Sequence, residues 1–177
     1  MTAPLFDRLR ERLSPGEAGQ GGQVSADAPV VCHGVQHHVL VFELAPDRIL
    51  PLAQRLRDEF GFDLFLDVTA VDWPDAPLRF EVVWHFYSTI DRVRVRLKTR
   101  VSEADPAVDS LTPLFGAAGY MERECHDMYG IVFRGNPDLR PILLYEGFVG
   151  HPLRKDYPKQ KEQPLVPYRP PQSALVR

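Results

Sequence analysis

Residues 80–101 read FEVVWHFYSTIDRVRVRLKTRV and contain the clearest structural signal in the chain. Apolar and polar side chains alternate over residues 80–86 and again over residues 93–97, which is the period of a strand with one buried face. We predict that the two runs form a β-hairpin that turns at residues 88–91. Their apolar sides then face a common core.

The register of this hairpin follows from the same alternation. If Tyr87 lies opposite Arg92, then Trp84 lies opposite Val95, and all the apolar residues of both strands share one face. Pairing of Trp84 with an arginine would contradict the predicted register, because it would place the indole ring and a guanidinium on the same face.

The second strand also carries a ladder of basic residues on its outward face: Arg92, Arg94, Arg96, Lys98 and Arg100. A charged ladder is the ordinary solvated side of a half-buried strand. A single-stranded nucleic-acid site would also need aromatic platforms among the cations, and we expect none on that face. The ladder therefore predicts no nucleic-acid partner.

The segments before the hairpin predict a strand, a helix and a second strand. Residues 35–44 are rich in Val and Leu and predict the first strand. The helix begins near Pro46 and ends at Gly61, the residue type that most easily takes the left-handed conformation after a helix. Residues 63–71 alternate again and predict the second strand.

After the hairpin, the spacing of apolar residues predicts two helices, over residues 105–118 and 117–129, the second ending at Gly130. The order β-α-β-β-β-α is typical of an α+β fold. We predict a two-layer sandwich of a mixed or antiparallel sheet with helices on one face, followed by a long extended C-terminal segment.

The ends of the chain differ from this central domain. Residues 1–13 have leucines four apart and predict an amphipathic helix, while residues 14–28 are rich in Gly and predict a flexible linker. The α+β domain is assigned to residues 29–132. Residues 133–177 carry many Pro and Gly residues, and we expect them to form an extended partner-binding segment that is stable only on another surface.

Composition limits the classes of function. The chain has 177 residues, 44% of them hydrophobic, and a net charge of −3, which describes an ordinary globular domain. Its two cysteines, Cys32 and Cys125, are too few and too far apart to hold an iron–sulfur cluster or a zinc ribbon. No apolar run reaches the roughly 20 residues that cross a bilayer. We expect a cytoplasmic protein, with any membrane association indirect.

The last helix is the first candidate for chemistry, because Glu122, Cys125 and His126 are three and four apart and can share a helix face. A metal site usually needs three or four protein ligands, and no second pair completes this one. Cys125 and His126 are adjacent and point in different directions, so they do not form a nucleophile and base. A freestanding metal-dependent enzyme using Glu122, His126 and Asp127 is the alternative from another class.

A structural role for the same helix is favoured. Arg123 and Asp127 are an i,i+4 pair, and together with Glu122 and Glu124 they predict an ion-pair lattice. Basic residues downstream are available to meet the remaining acids: Arg134, Arg140, Arg154 and Lys155. Loss of one partner from a buried pair costs about 3–5 kcal/mol, which would make the lattice essential without catalysis.

Three neighbouring motifs carry a resemblance to a known family. Residues 122–133 read ERECHDMYGIVF, residues 135–143 read GNPDLRPIL and residues 150–158 read GHPLRKDYP. Together they closely resemble the C subunit of respiratory complex I, the NADH–quinone oxidoreductase. A looser similarity extends over residues 60–158.

The resemblance implies a non-redox subunit in the peripheral arm of a proton-translocating NADH–quinone oxidoreductase, on the cytoplasmic side of a bacterial membrane. It implies that this chain binds no cofactor, and that FMN, iron–sulfur clusters and quinone belong to partner subunits. The expected partner is the D subunit, which is hydrogenase-like and helps to form the quinone pocket. Related NDH and membrane-bound hydrogenase complexes contain an equivalent subunit and remain an alternative.

We expect no catalytic, cofactor-binding or metal-binding residue in this chain. The candidate residues are instead structural or lie at a partner interface. They are Glu122, Arg123, Glu124, Asp127, Arg140, His151, Arg154, Lys155 and Asp156.

Overall fold

The computed structural model describes residues 7–9, 11, 30–37 and 39–160 of the chain. The predicted linker, residues 14–28, lies outside the described residues, as do residues 161–177 of the C-terminal segment. Of the predicted first helix, residues 7–9 and 11 are described and are helical. Leu9 is fully buried in the main hydrophobic core, so this helix packs on its own domain at that point.

A mixed five-stranded sheet is the main element of the described chain. Its strands are β1 (Val31–Gln36), β2 (Val39–Glu43), β3 (Leu64–Asp72), β4 (Phe80–Ser88) and β5 (Val93–Val101). They lie in the order β1-β2-β5-β4-β3, with β2 and β5 parallel and the other neighbours antiparallel. Two short strands, β6 (Ala107–Asp109) and β7 (Val132–Arg134), form a separate parallel pair.

Two helices of twelve residues each pack on this sheet. A 3₁₀ turn, Pro46–Arg48, leads into α1 (Ile49–Phe60), and α2 is Ala118–Tyr129. Pro51 is tolerated in α1 because it lies in the first turn, where its missing N–H has no intrahelical partner. Both helices contribute buried residues to one cluster with the inward residues of the sheet, including Trp84 and Phe42. The predicted α+β class is confirmed.

The hairpin of β4 and β5 is confirmed, but its register differs from the prediction by two residues. Tyr87 lies opposite Arg94, and Trp84 lies opposite Leu97. Ser88 pairs with Val93, so the chain turns one position later than predicted, over residues 89–92. A shift of two preserves the face of every side chain, and Trp84 and Phe86 are fully buried as predicted.

The predicted strand over residues 35–44 is confirmed at β2, but it does not extend back to residue 35 as one strand. The chain forms β1 and β2 instead and reverses direction after Gln36, with a positive φ of 50° at His37. Neither Gly nor Pro marks the turn, and a left-handed His is uncommon, so the ordinary turn signals are absent.

The predicted helix over residues 105–118 is also wrong. Val108 instead pairs with Phe133 in the β6–β7 ladder, and residues 111–117 form turns. Pro113 explains the difference, because a proline in the interior of a helix removes a hydrogen bond and clashes with the preceding turn. The apolar residues whose spacing suggested a helix lie in turns instead. Leu111 and Phe115 are nevertheless buried.

Strand β7 crosses the predicted boundary between residues 132 and 133. Phe133 is 1% exposed and belongs to the main core cluster. The chain therefore remains part of the α+β domain to Arg134, and the irregular segment begins at Gly135. We call residues 135–158 the strap.

Candidate functional site

The strap lies on the C-terminal end of α2, where the candidate residues are concentrated. Helix α2 ends at Gly130, which takes a φ of 77° and donates its N–H to the carbonyl of His126 over 2.8 Å. The last carbonyls of a helix have no partner within the helix. At α2 the strap supplies these partners.

Three donors from residues 151–154 reach the successive carbonyls beyond His126. His151 donates from Nδ1 to the Asp127 carbonyl over 2.9 Å. The Leu153 N–H donates to Met128 over 3.1 Å, and Arg154 Nε donates to Tyr129 over 2.6 Å. A guanidinium at this end is also favoured by the negative end of the helix dipole. The strap thus closes α2 with both hydrogen bonds and charge.

Asp127 fixes the first part of the strap. One carboxylate oxygen accepts the backbone N–H groups of Ile142, Leu143 and Leu144, at 2.8, 2.9 and 3.2 Å. Burial would raise the pKa of Asp127, but these three donors outweigh it and hold the pKa below its ordinary value. Asp127 is therefore an anchor for backbone and not a free acid.

Gly130 is required at this junction for two reasons. Its positive φ disfavours other residues, and a Cβ atom at this position would lie 2.5 Å from both Arg154 Nη2 and His151 Nε2. The two strap side chains therefore cover the glycine directly. A side chain on residue 130 would push them off the helix end.

A second anchor joins the end of the strap to the sheet. Arg79 donates two hydrogen bonds to Asp72, from Nε over 2.7 Å and from Nη2 over 2.9 Å. Its Nη2 also lies 3.0 Å from Asp156, and its Nη1 donates to Glu103 over 2.8 Å. The Lys155 N–H completes the cluster by donating to Asp72 over 2.7 Å.

This cluster is largely desolvated at its centre. The side chains of Asp72 and Arg79 are 1% and 9% exposed, whereas that of Asp156 is 57% exposed. The hydrogen bonds from Arg79 lower the pKa of Asp72 despite its burial. Arg154 and Arg79 also lie over the ring of Phe80, at 4.8 and 5.1 Å from its centroid.

The predicted ion-pair lattice on α2 is wrong in its partners. Glu122 is fully buried, but its carboxylate accepts from neutral groups: Ser110 Oγ over 2.7 Å, the Leu111 N–H over 2.7 Å and Asn136 Nδ2 over 2.8 Å. Burial raises the pKa of Glu122, and these hydrogen bonds oppose the shift. Glu122 therefore joins α2 to the β6 loop and the strap without any cation.

Arg123 does not pair with Asp127 as predicted. It donates from Nε and Nη2 to the carbonyls of Arg140 and Pro141, each over 2.8 Å. Arg140 forms an ion pair with Asp138, two residues before it in the strap, over 2.9 Å. The i,i+4 interpretation fails because both partners are taken by strap backbone, which offers several hydrogen bonds at once.

The remaining candidates occupy less connected positions. Glu124 lies exposed on α2. The Lys155 ammonium lies 5.5 Å from the ring centroid of Trp73, and Arg154 approaches Glu103 at 3.8 Å. The structure thus brings together Asp127, His151 and Arg154 at one anchor and Asp156 and Lys155 at the other.

Sequence reasoning missed the residues outside α2 that receive the strap, namely Asp72, Arg79 and Glu103. All three precede α2 in the chain, and Arg79 stands beside a Pro-rich loop without periodicity. The one available signal was the polar pair Asp72 and Arg79 flanking a short loop between two strands. Such a pair is a candidate for a buried ion pair.

The geometry offers little to a metal ion or a nucleophile. Across the part of the chain that the structure describes, no group of three or more His, Cys, Asp and Glu side chains is placed to bind a metal. Glu122, His126 and Asp127 are directed to three different partners, because His126 donates from Nδ1 to the Ile131 carbonyl over 2.8 Å. Burial and the nearby acids Asp67, Glu122 and Glu124 raise the pKa of the Cys125 thiol, so the thiolate is disfavoured.

The outward side of the strap is unusually apolar. Leu143, Val149 and Leu153 are 60%, 63% and 52% exposed, and Ile142 and Tyr145 each expose 37%. Five large apolar side chains are thus exposed within twelve residues of sequence, a concentration that favours a protein interface. We call these five side chains the apolar patch. The strap is therefore fixed to its own domain on one side and presents apolar surface on the other.

The chain matches one protein family and several known proteins of the same description. The family described as "Respiratory-chain NADH dehydrogenase, 30 Kd subunit" matches residues 42–163. The chain is 44% identical over 131 residues to the C subunit of NADH-quinone oxidoreductase from Cereibacter sphaeroides, and 45% identical over 149 residues to that from Caulobacter sp.. These matches cover 73% and 82% of this chain. The chain spans 65% of the length of the first relative and 69% of the second.

Two solved structures share the fold. A trypsin-resistant fragment of Nqo5 has a TM-score of 0.56 and 28% identity, and the match covers 78% of this chain and all of that one. A chain of the membrane-bound sulfane sulfur reductase, an archaeal respiratory membrane complex, has a TM-score of 0.64 and 27% identity over 74% of this chain and 78% of that one. In the described part of this chain, no helix is long and apolar enough to cross a membrane.

Proposed function

Because this chain belongs to the family of respiratory-chain NADH dehydrogenase 30 kDa subunits, we propose that it is a peripheral, non-redox subunit of a proton-translocating NADH–quinone oxidoreductase. In this role it supports assembly and holds neighbouring subunits in position. Electrons pass from NADH through FMN and iron–sulfur clusters to quinone, and all of these groups lie in partner subunits. The chain lies on the cytoplasmic side of a bacterial membrane, as part of this complex.

The observation that carries the proposal is the two-sided strap. Its inner side is fixed by the hydrogen bonds to α2 and the Arg79 cluster, and its outer side exposes Leu143, Val149 and Leu153. A preordered apolar surface binds a partner without the full entropic cost of ordering a loop. A catalytic site would instead need a cluster of reactive side chains, whereas the strap offers a surface for binding.

The partner that best fits this surface is the D subunit of the complex, which is hydrogenase-like and lies beside the quinone pocket. The resemblance of the three motifs in residues 122–158 to the C subunit of complex I supports this assignment. Its candidate interface residues are Arg140, Lys155 and Asp156 on the strap and the exposed Glu124 on α2, together with the apolar patch. Asp127, His151 and Arg154 do not contact the partner in this proposal. They hold the strap against the end of α2 by hydrogen bonds.

We assign no cofactor to this chain. His126 and His151 donate from Nδ1 to backbone carbonyls, and Cys125 is buried as a thiol. These contacts support a structural role for the histidines.

A related complex is the second candidate. The chain of the sulfane sulfur reductase has the higher TM-score of the two solved structures, 0.64 against 0.56. An equivalent position in an NDH or hydrogenase-like membrane complex would use the same strap with another electron donor. The identity of the electron donor is therefore the property that distinguishes the two candidate complexes.

Copurification tests the proposal directly. A tagged chain, produced in its native host, is expected to bring down a membrane complex that contains flavin and iron–sulfur clusters and oxidises NADH with quinone. Recovery of a complex without NADH oxidation would favour the related-complex candidate. Recovery of the chain alone from solubilised membranes would contradict both.

A variant pair tests the strap itself. Leu143→Asp with Val149→Asp places charges in the apolar patch and is expected to abolish copurification while the domain stays folded. The matched control is Ile90→Asp in the β4–β5 loop, because Ile90 is 84% exposed and far from the strap in sequence. If the patch variant assembles as well as the control, the strap is not the interface.

A further inference from the structure

The basic ladder of β5 divides into two ends with different electrostatic surroundings. At one end, Lys98 Nζ donates to Glu81 over 2.8 Å and Arg100 Nη2 donates to the same carboxylate over 3.2 Å. Arg100 also lies 3.7 Å from Glu43 on β2. This end is neutralised within the sheet.

The other end, at Arg94 and Arg96, is different. Within the described residues, no carboxylate lies at ion-pair distance from either arginine. Arg94 is exposed, and the Nε of Arg96 is buried without a hydrogen-bond partner. A buried guanidinium N–H without an acceptor is costly, and such a group in a folded protein needs an explanation.

One neighbouring group is consistent with this excess of positive charge. His85 lies opposite Arg96, and burial together with Arg96, Arg94 and Lys98 lowers its pKa to about 4. Asp67 lies across β4 from His85, and within the described residues it forms no ion pair with either arginine.

Val39 and Val41 of β2 lie opposite Arg94 and Arg96 and are only 8% and 1% exposed. The face at this point therefore offers a partner its cations and little apolar surface. Arg94 and Arg96 alternate along one strand, so their Cα atoms are about 7 Å apart. Carboxylates at alternate positions of an extended peptide have the same spacing, with the intervening side chains on its other face.

The face is also limited at both ends by acids. Glu81 lies at the neutralised end, and Asp63 and Asp91 lie at the hairpin loop, where they accept hydrogen bonds from Thr89 and Ser88. A cationic site that spans two arginines between acids suits a short acidic segment. Nucleic-acid and anionic-lipid surfaces draw their affinity from longer runs of cations.

We propose that this end of the sheet face, formed by Arg94, Arg96, His85 and Tyr87, binds an extended acidic segment of another protein. The guanidinium groups pair with Asp or Glu at alternate positions, and Arg96 Nε gains an acceptor. The structure also corrects the expectation that no aromatic ring lies among the cations, because Tyr87 pairs with Arg94 across the hairpin. The surface is separate from the strap, so the proposal does not rest on the proposed function.

The test uses the purified full chain and a short labelled peptide in which Glu alternates with Val. Fluorescence anisotropy is expected to show binding that weakens with added salt. The double variant Arg94→Gln with Arg96→Gln is expected to bind about tenfold more weakly. The matched control, Arg48→Gln with Arg55→Gln at the start of α1 and within it, removes the same charge elsewhere on the surface and is expected to bind within about twofold of the parent chain.

Two further probes distinguish other anions. Vesicles of phosphatidylcholine and phosphatidylglycerol, and an oligo-dT strand, are titrated with the same proteins. The proposal is overturned if both double variants lose the same affinity for the peptide, or if either probe binds more tightly than the peptide with the same dependence on Arg94 and Arg96. Arg94→Gln alone, at an exposed position, repeats the test should the double variant unfold.

Discussion

Helices α1 and α2 have the same length and end with the same signal, yet their ends do different things. Each has twelve residues and is followed by a glycine in the left-handed conformation, Gly61 with a φ of 71° and Gly130 with a φ of 77°. Nothing lies within 4 Å of the position that a Cβ atom would take on Gly61. At Gly130 that position is already occupied by His151 and Arg154.

A glycine at the C-terminus of a helix therefore has a local and a tertiary role. At α1 the glycine only reverses the chain into β3, and the backbone closes the helix by itself. At α2 the absence of a side chain also lets the strap approach the helix end. The sequence signal is the same at both helix ends. Only the residues that surround the glycine show whether it simply ends the helix or also receives another segment.

Loss of the second anchor of the strap, at Arg79, is expected to reduce the free energy of unfolding more than any other change proposed below. Arg79→Met leaves Asp72 buried without its cation, so we expect a loss of about 3–5 kcal/mol in the free energy of unfolding. Urea denaturation measures this value. Arg55→Met on α1 is the matched control, because its pair with Glu59 is exposed and contributes at most about 1 kcal/mol. Equal losses in the two variants would show that the anchor has no special role.

The two glycines provide the next comparison. Gly61→Ala introduces only the strain of a positive φ and is expected to cost about 1 kcal/mol. Gly130→Ala adds a clash with the strap and is expected to cost about 3 kcal/mol. Hydrogen exchange of the 153–157 amides should rise in Gly130→Ala alone. If both variants lose the same stability and keep these amides protected, the docking role of Gly130 is wrong.

Asp127→Asn tests the anchor within α2. The amide keeps one acceptor oxygen but loses the charge that three N–H groups share, so we expect a cost of about 1–2 kcal/mol. The 142–144 amides are expected to lose protection from hydrogen exchange. Asp58→Asn in the last turn of α1 is the control, since Asp58 is exposed. Unchanged protection in Asp127→Asn would exclude this carboxylate as the anchor.

The smallest effect is a dependence of strap docking on pH. Burial lowers the pKa of His151 below its ordinary value of 6.5, Arg154 and His126 lower it further, and its hydrogen bond to Asp127 opposes them. The folded strap therefore binds fewer protons than the unfolded chain, and docking weakens as pH falls below about 6.5. Below the lowered pKa of His151, the free energy of strap docking stays constant at this weaker level.

Hydrogen exchange of the 153–157 amides at about pH 7.5 and about pH 5.5, on either side of the ordinary histidine pKa and corrected for the intrinsic rates, measures this dependence. His151→Gln removes the titrating group and is expected to show the same protection at both pH values. A pH dependence that survives in His151→Gln would assign the effect to another group.

Much of the fold followed from local patterns. The alternation of residues 80–101 predicted the hairpin and its buried face, because a period of two is a direct consequence of strand geometry. Gly61 and Gly130 predicted both helix ends. The register differed by two residues because alternation fixes the face of a side chain but not its partner.

The failures have physical causes in particular residues. Pro113 is incompatible with the interior of a helix over residues 105–118, and the turn at His37 carries no common turn residue. The Arg123–Asp127 pair was predicted from helix spacing, but both side chains bind strap backbone that lies 15 to 18 residues away along the chain. Helix spacing shows which side chains are able to meet and not what else competes for them.

Local patterns in the sequence are enough to predict the strands of the hairpin, the two helix ends and, through its motifs, the resemblance to the C subunit of complex I. Three features follow only from the folded chain: the strap lies back on its own domain, Glu122 is held by neutral donors, and Arg94 and Arg96 lack counter-ions among the residues that the structure describes. The two groups of features differ in the distance along the chain over which their causes act. Periodicity and turn chemistry act within a few residues, whereas the partner of a buried polar group depends on which distant segment reaches it first with enough donors or acceptors.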